Sequence, residues 1–317
     1  MSLKQWVVSA TASLVLVSNL AFSQNLSPQQ IQASQAFNQP ISHQKEINTA
    51  LNEVVAANIW QTLAHLTAYP NRSATKETGV EAANWLKATI DAMIVESGRS
   101  DTETYFVKTG WYKQPSLVTV IGKDLKAPAI VIGAHMDTPD GHMPGADEGS
   151  GAAIIMEAAR VLLSSKTALK RPVYIIWYAA GNRKYAGAQY VVEHFQQKDI
   201  AVKAVLQFDK NGYRSNPRDA TMWVFSDSSN KDLGIYTAKL IDTYIHVPMD
   251  YSSCSNECSD HSAWTEEGTA AAFATESNIE NMSPYVGTSS DTMALLSLEH
   301  MTNFSKLAVA FVMEQAL

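Results

Sequence analysis

Three side chains in this 317-residue sequence have the types and positions to hold a divalent metal ion. His135 closes the apolar run Ala129–Gly133 through Ala134, and Asp209 directly follows the run Val202–Phe208. Asp147 lies in the glycine-rich turn Pro144-Gly145-Ala146-Asp147-Glu148-Gly149-Ser150-Gly151. One imidazole and two carboxylates make a donor set of borderline hardness that suits zinc. Asp137, two residues beyond His135, is placed to accept the second ring N–H and fix the tautomer. The plainer alternative for His135 is a packed histidine beside a turn, because His-x-Asp alone is a common triplet. The glycine turn lacks the Lys-Ser/Thr ending of a phosphate loop and the spacing of a dinucleotide fingerprint. Its carboxylates would also repel phosphate, so a metal-binding turn is the better reading.

These residues need a scaffold that brings strand ends together. Short apolar runs at Leu117–Ile121, Ala129–Gly133, Val173–Tyr178, Val202–Phe208, Met222–Phe225 and Ala270–Phe273 read as strands. Longer periodic runs at Ile47–Leu66, Gly79–Ile94, Ala152–Leu163, Tyr185–Phe195, Asp232–Ile245 and Leu298–Met313 read as helices. The alternation predicts a single α/β domain, with a mixed, mostly parallel central sheet covered by helices on both faces. In such sheets ligands bind at the carboxyl ends of the strands. That edge is where His135, Asp209 and Ala179-Ala180-Gly181-Asn182 fall.

Charged residues are 17% of the chain and apolar residues 46%, which excludes wholesale disorder. A net charge of -7 without Lys/Arg clusters argues against nucleic-acid binding. Lys4, the apolar stretch Trp6–Leu20 and Ala21-Phe22-Ser23 form a signal-peptide pattern with cleavage after Ser23. The expectation is a secreted or periplasmic protein with no membrane segment after cleavage. Residues 24–45 read as a polar leader or pro-segment, and 46–317 as the domain. Cys254 and Cys258 would meet oxidising conditions after export, which favours a disulfide. Two free thiols or a soft metal pair remain the alternatives.

The motifs together resemble a known family. Ile132-Gly133-Ala134-His135-Met136-Asp137-Thr138 and Pro144-Gly145-Ala146-Asp147 resemble the co-catalytic dizinc aminopeptidases of the secreted bacterial leucyl type. The likeness continues in order through Trp177-Tyr178-Ala179-Ala180, Leu206-Gln207-Phe208-Asp209, Cys254 to Trp264 and Thr288-Ser289-Ser290-Asp291-Thr292. It implies a zinc-aminopeptidase fold and removal of N-terminal amino acids from peptides. It assigns Asp147 as the bridging ligand, His135 and Asp209 as ligands of one zinc, and Asp137 and Asp291 as residues behind the ligands. The second zinc would need a Glu where Asn182 stands and a His where Gly287 stands. The general base would be a Glu where Gly181 stands. The glycine turn is also one residue shorter than the commonest family form.

The resemblance therefore implies one zinc rather than two, held by His135, Asp147 and Asp209. It also implies a monomer of weak or absent hydrolytic activity that still binds peptide N-termini or small peptides. An active single-metal or rearranged site is the first alternative, with His142, Glu148 or Glu276 supplying a ligand or base. A metal-free peptide- or partner-binding domain is the second. If only the side chains are missing, Gly181→Glu, Asn182→Glu and Gly287→His together should create activity.

Overall fold

Alternating apolar residues build the middle of an eight-stranded sheet in a computed structural model that describes residues 37–253 and 259–317. The strands are β1 (Thr102–Val107), β2 (Ser116–Ile121), β3 (Ala129–His135), β4 (Val173–Tyr178), β5 (Val202–Phe208), β6 (Met222–Phe225), β7 (Met249–Ser252) and β8 (Ala271–Thr275). Their order is β1-β2-β4-β3-β5-β8-β6-β7. On the central strands one set of side chains faces each core, as the two-residue period of a strand requires. Ile130, Ile132, Ala134, Ile175, Trp177, Leu206 and Phe208 enter the larger core, while Val131, Tyr174, Ile176 and Val205 enter the smaller.

The larger core is closed by helices α1 (Gln44–Leu51), α2 (Ala56–Ala68), α3 (Glu77–Ser97), α4 (Ser150–Ser164), α6 (Lys231–Leu240) and α8 (Leu298–Ala316). The smaller is closed by α5 (Ala186–Gln197) and α7 (His261–Glu266). The single α/β domain and its mostly parallel sheet agree with the sequence reading. Among the described residues no helix is long and apolar enough to cross a membrane. Residues 1–23 and 24–36 lie outside the described part. From residue 37 onward the chain is packed: Phe37 is buried, and the backbone N–H groups of Ser42 and His43 donate to the Glu314 carboxylate.

Several elements differ from expectation. The apolar spacing over Ile47–Leu66 spans two helices, because Val55 turns to extended backbone and its N–H donates to Glu157 Oε1 at 2.7 Å. Glu157, buried on α4, also accepts from Asn58 and pairs with Arg160, so it acts as an external cap for α2. Strands β1 and β7 were not expected; they lie at the two edges of the sheet, and their half-exposed polar sequences carry no buried-strand signal. The last turn of the Asp232–Ile245 helix is a π-turn, Ile241–Ile245.

Strands β4, β3, β5 and β8 are mutually parallel and adjacent. Their carboxyl ends meet at one edge, and α4 starts against it. A Cβ on Gly151 would lie 2.4 Å from Phe208 O, so only glycine lets the start of α4 close onto the end of β5. This approach brings the glycine turn beside Asp209.

Candidate functional site

Each of those four strands delivers a polar residue to the shared edge: His135 from β3, Asp209 after β5, Asn182 four residues after β4, and Glu276 directly after β8. His135 is held at both ring nitrogens. Its Nε2 lies 3.2 Å from Asp209 Oδ1, and its Nδ1 lies 3.3 Å from Asp137 Oδ1. Burial alone would lower the His135 pKa, but the two carboxylates outweigh it and raise it well above the ordinary value. Asp137 does more than orient the ring, since it also accepts from Gly181 N at 2.7 Å and Asn182 N at 3.2 Å.

The other oxygen of Asp209 accepts from Lys210 Nζ and Ser259 Oγ, both at 2.9 Å. Lys210 has a left-handed backbone, φ 52°, which its carbonyl helps hold by accepting from Thr275 Oγ1 and Glu276 N. Its side chain is 21% exposed and turns into the cluster, facing Glu148 and Asp147 as well as Asp209. Despite burial, Lys210 and His135 hold the Asp209 carboxyl well below the usual carboxylate range.

Asp291 fastens the glycine turn from far along the chain, accepting from Asp147 N at 2.9 Å and Glu148 N at 3.4 Å. Arg72, fully buried, ties the same turn to the ends of α2 and β3 through the carbonyls of Leu66, Met136, Pro144 and Gly145. Glu148 is buried and its pKa is raised by burial; its Oε2 accepts from Asn182 Nδ2 at 2.5 Å. The Asn182 amide thus donates to a carboxylate where the resemblance requires a carboxylate ligand. Gly181 lies against the His135 ring: a Cβ there would be 2.5 Å from His135 Cβ and 2.7 Å from Cγ. Gly287 has φ 73°, and its nearest neighbour would be Glu148 Oε1 at 4.0 Å.

Asp147 does not face His135 as a free ligand. Its Oδ1 accepts from Gly212 N at 3.1 Å, a donor it shares with Glu276 Oε2 at 2.8 Å, so the two carboxyls lie side by side. Burial raises both above the carboxylate range, helped at Asp147, which lies at about 7, by the charge of Asp291 and at Glu276 by that of Asp147. Asp147 Oδ2 is buried with no hydrogen-bond donor, and Lys210 is a positive charge facing that carboxyl.

Zinc needs about four donors with free lone pairs in a tetrahedral shell. Here both His135 nitrogens and both Asp209 oxygens are engaged within the chain, which leaves Asp147 Oδ2 as the one oxygen of the three residues without a partner. Among the described residues no three His, Cys, Asp or Glu side chains gather in a way that could hold a metal ion. As arranged, the set does not fit the single zinc expected on His135, Asp147 and Asp209.

Of the other expected residues, His142 is exposed in its loop, while Glu148 and Glu276 lie inside the cluster. Cys254 and Cys258 lie outside the described residues. Sequence reasoning missed Arg72, Lys210 and Ser259. Lys210 carried one available signal, a cation next to a strand-end aspartate.

Behind Glu276 sits His300, whose Nε2 is 3.3 Å from Glu276 O and whose Nδ1 is 3.3 Å from Arg214 Nη2. The guanidinium can only donate, so the ring must be neutral at Nδ1 and donate from Nε2. Burial, then Arg214, lower its pKa from 6.5 to about 4, and Asp219 opposes weakly. Between those values the unfolded chain binds the extra proton. This contribution is therefore complete above pH 6.5 and is lost as pH falls towards 4. Raised carboxyls such as Asp147 and Asp260 slope the other way, so the variant comparison isolates the residue. From pH 7 to pH 5, urea unfolding of wild type should lose about 2 kcal/mol more than that of His300→Gln. Parallel losses in the two proteins would refute it.

Known proteins resemble this chain along most of its length. The sequence profile of "Peptidase family M28" matches residues 117–312. A "Probable leucine aminopeptidase" of Arthroderma benhamiae is 32% identical over 294 residues, covering 89% of this chain and 80% of that protein. The crystal structure of the Legionella pneumophila LapA aminopeptidase is 64% identical with a TM-score of 0.85, covering 87% of this chain and 74% of that one. LapB from the same organism is 45% identical with a TM-score of 0.87, covering 94% and 83%. A zinc aminopeptidase of Bacillus subtilis, at 23% identity and TM-score 0.54 over 64% of this chain and 50% of that one, shares the fold.

Proposed function

The chain belongs to peptidase family M28, and from that premise we propose that it is an exported member that has lost the hydrolytic step and still holds peptide N-termini. Gly181 carries the loss. Nothing at that position can take a proton from water, and the space where a side chain would start is filled by His135. A general base typically contributes about 10²–10⁴ in rate. Asn182 and Gly287 remove two further groups that the resemblance assigns to a second zinc. Zinc is the metal that the family and its neighbours suggest, but the arrangement of His135, Asp147 and Asp209 does not suit it, so no step is assigned to a metal here. Peptide recognition follows from family membership, and export from Lys4, Trp6–Leu20 and Ala21-Phe22-Ser23, with residues 24–45 between the signal and the domain.

One observation favours a second reading, a working enzyme with a rearranged site. Glu148 is a buried carboxyl of raised pKa beside His135, as a substitute base would be. Its Oε2, however, is taken by the Asn182 amide.

The test is leucine p-nitroanilide hydrolysis by the mature protein with added zinc, run beside L. pneumophila LapA. The expected kcat/KM is lower by at least about 10²–10⁴-fold. A rate within about tenfold of LapA, abolished by Glu148→Gln, would establish the second reading instead. A leucine-led peptide that leaves the melting temperature unchanged would remove the binding half of the proposal.

A further inference from the structure

We infer that the chain has replaced the metal of this site with its own side chains: the Lys210 ammonium and the Asn182 amide occupy the carboxylates that would otherwise face a cation, and the cluster is closed to zinc. The inference deepens the disabled reading above and rests on it.

The charge arrangement carries the argument. Asp137, Asp147, Glu148, Asp209, Glu276 and Asp291 crowd one edge of the sheet and all are buried. Buried carboxylates need either a cation or a full set of donors. Two cations of the chain reach them. Arg72 faces Asp137, Glu148 and Asp291, and Lys210 faces Asp147, Glu148 and Asp209. Glu276, the one carboxyl with no such cation, accepts from Gly212 N at 2.8 Å and Tyr213 N at 2.6 Å. Asp147 Oδ2 and Glu276 Oε1 keep no hydrogen-bond donor, and the Lys210 charge is what faces Asp147 in place of an added ion.

Lys210 is not a surface lysine that happens to reach inward. Its left-handed backbone is fixed by bonds from β8 and aims the side chain at Asp209, where Nζ sits at 2.9 Å. A dication near Asp209 would have to displace that ammonium and meet its repulsion. Asn182 acts in the same sense at the other side of the cluster. A carboxylate at 182 would repel Glu148 unless a metal lay between them, whereas the amide bonds to Glu148 directly.

The experiment compares the mature protein with Lys210→Met, each stripped with EDTA and then titrated with zinc chloride. Melting temperature and bound zinc are the readouts. Wild type is expected to retain substoichiometric zinc and to melt at the same temperature in EDTA and in zinc. Lys210→Met is expected to melt lower in EDTA and to recover by about 5–10 °C in zinc at a hundredfold excess over Kd. Wild type binding one zinc per chain with a matching rise in melting temperature would overturn the inference. So would a Lys210→Met protein that is undiminished in EDTA, or one that gains nothing from zinc. If the variant does not fold in either buffer, zinc uptake by wild type decides alone. Wild type that binds zinc but turns over no substrate would sink this inference and leave the disabled reading standing; zinc binding with turnover would sink both.

Discussion

Arg72→Met should cost at least about 4 kcal/mol of stability, roughly a thousandfold in the folding equilibrium. The guanidinium is fully buried and donates four hydrogen bonds, to Met136 O at 2.9 Å, Leu66 O at 2.9 Å, Pro144 O at 2.6 Å and Gly145 O at 2.7 Å. Burial lowers its pKa to about 10, with Glu148, Asp291 and Asp137 opposing, so it is charged at neutral pH. Methionine fills the volume but takes the guanidinium donor from the carbonyls of Leu66, Met136 and Pro144, each unsatisfied group costing about 1–3 kcal/mol, while Gly145 O keeps Gly149 N. It also strips a counter-ion from three buried carboxylates. Arg72→Lys should recover little, because an ammonium on a flexible stem cannot reproduce a planar fork of five donors. Urea unfolding at pH 7 gives the difference directly. A loss under about 1 kcal/mol would mean that other donors or waters replace the guanidinium, and that the glycine turn is fastened by Asp291 alone.

Arg72 also marks the limit of what the sequence discloses. Strands β3, β4 and β5 were legible because doubly covered parallel strands read as unbroken apolar runs, and their ends pointed to His135, Asp209 and Gly181. Edge strands β1 and β7 were not, since each is half exposed and reads as ordinary polar chain. Residue types gave the carboxylates of the cluster but not their partners. A buried arginine in the loop after Pro70 looks like any surface arginine, and Lys210 differs from a surface lysine only in following a strand-end aspartate. Which carboxylate meets which cation is decided by the approach of the glycine turn to the end of β5 and by a left-handed backbone at 210, and neither has a signature in composition or periodicity. Glu157 was more nearly legible, as a lone carboxylate in the otherwise apolar stretch 152–159 of α4. Its cap on α2 explains why a continuous apolar period broke into two helices.

The same dependence on geometry revises the repair that the motifs invite. Gly181→Glu, Asn182→Glu and Gly287→His restore three side chains on paper, yet the triple variant should show no turnover above background. It should also melt roughly 10 °C lower than wild type. A Cβ at 181 begins 2.5 Å from His135 Cβ, so the glutamate can enter only if β3's end or the 180–185 loop moves. That loop is already strained, with left-handed backbone at Ala180, Lys184 and Tyr185. At 287 the backbone is left-handed, φ 73°, and a histidine there costs about 1–2 kcal/mol. At 182 a carboxylate replaces the amide that now donates to Glu148, and two like charges meet beside Asp137. Together these amount to about 3–5 kcal/mol against the fold, before any chemistry begins. Lys210 would still hold Asp209. Leucine p-nitroanilide turnover and a thermal melt, each with zinc present, decide the matter. Turnover within about a hundredfold of LapA would mean the edge of the sheet has kept its ancestral geometry and that the loss lies in three side chains alone. A silent, destabilised variant would place the loss in the backbone at 181 and the cation at 210, which substitutions at the three motif positions do not reach.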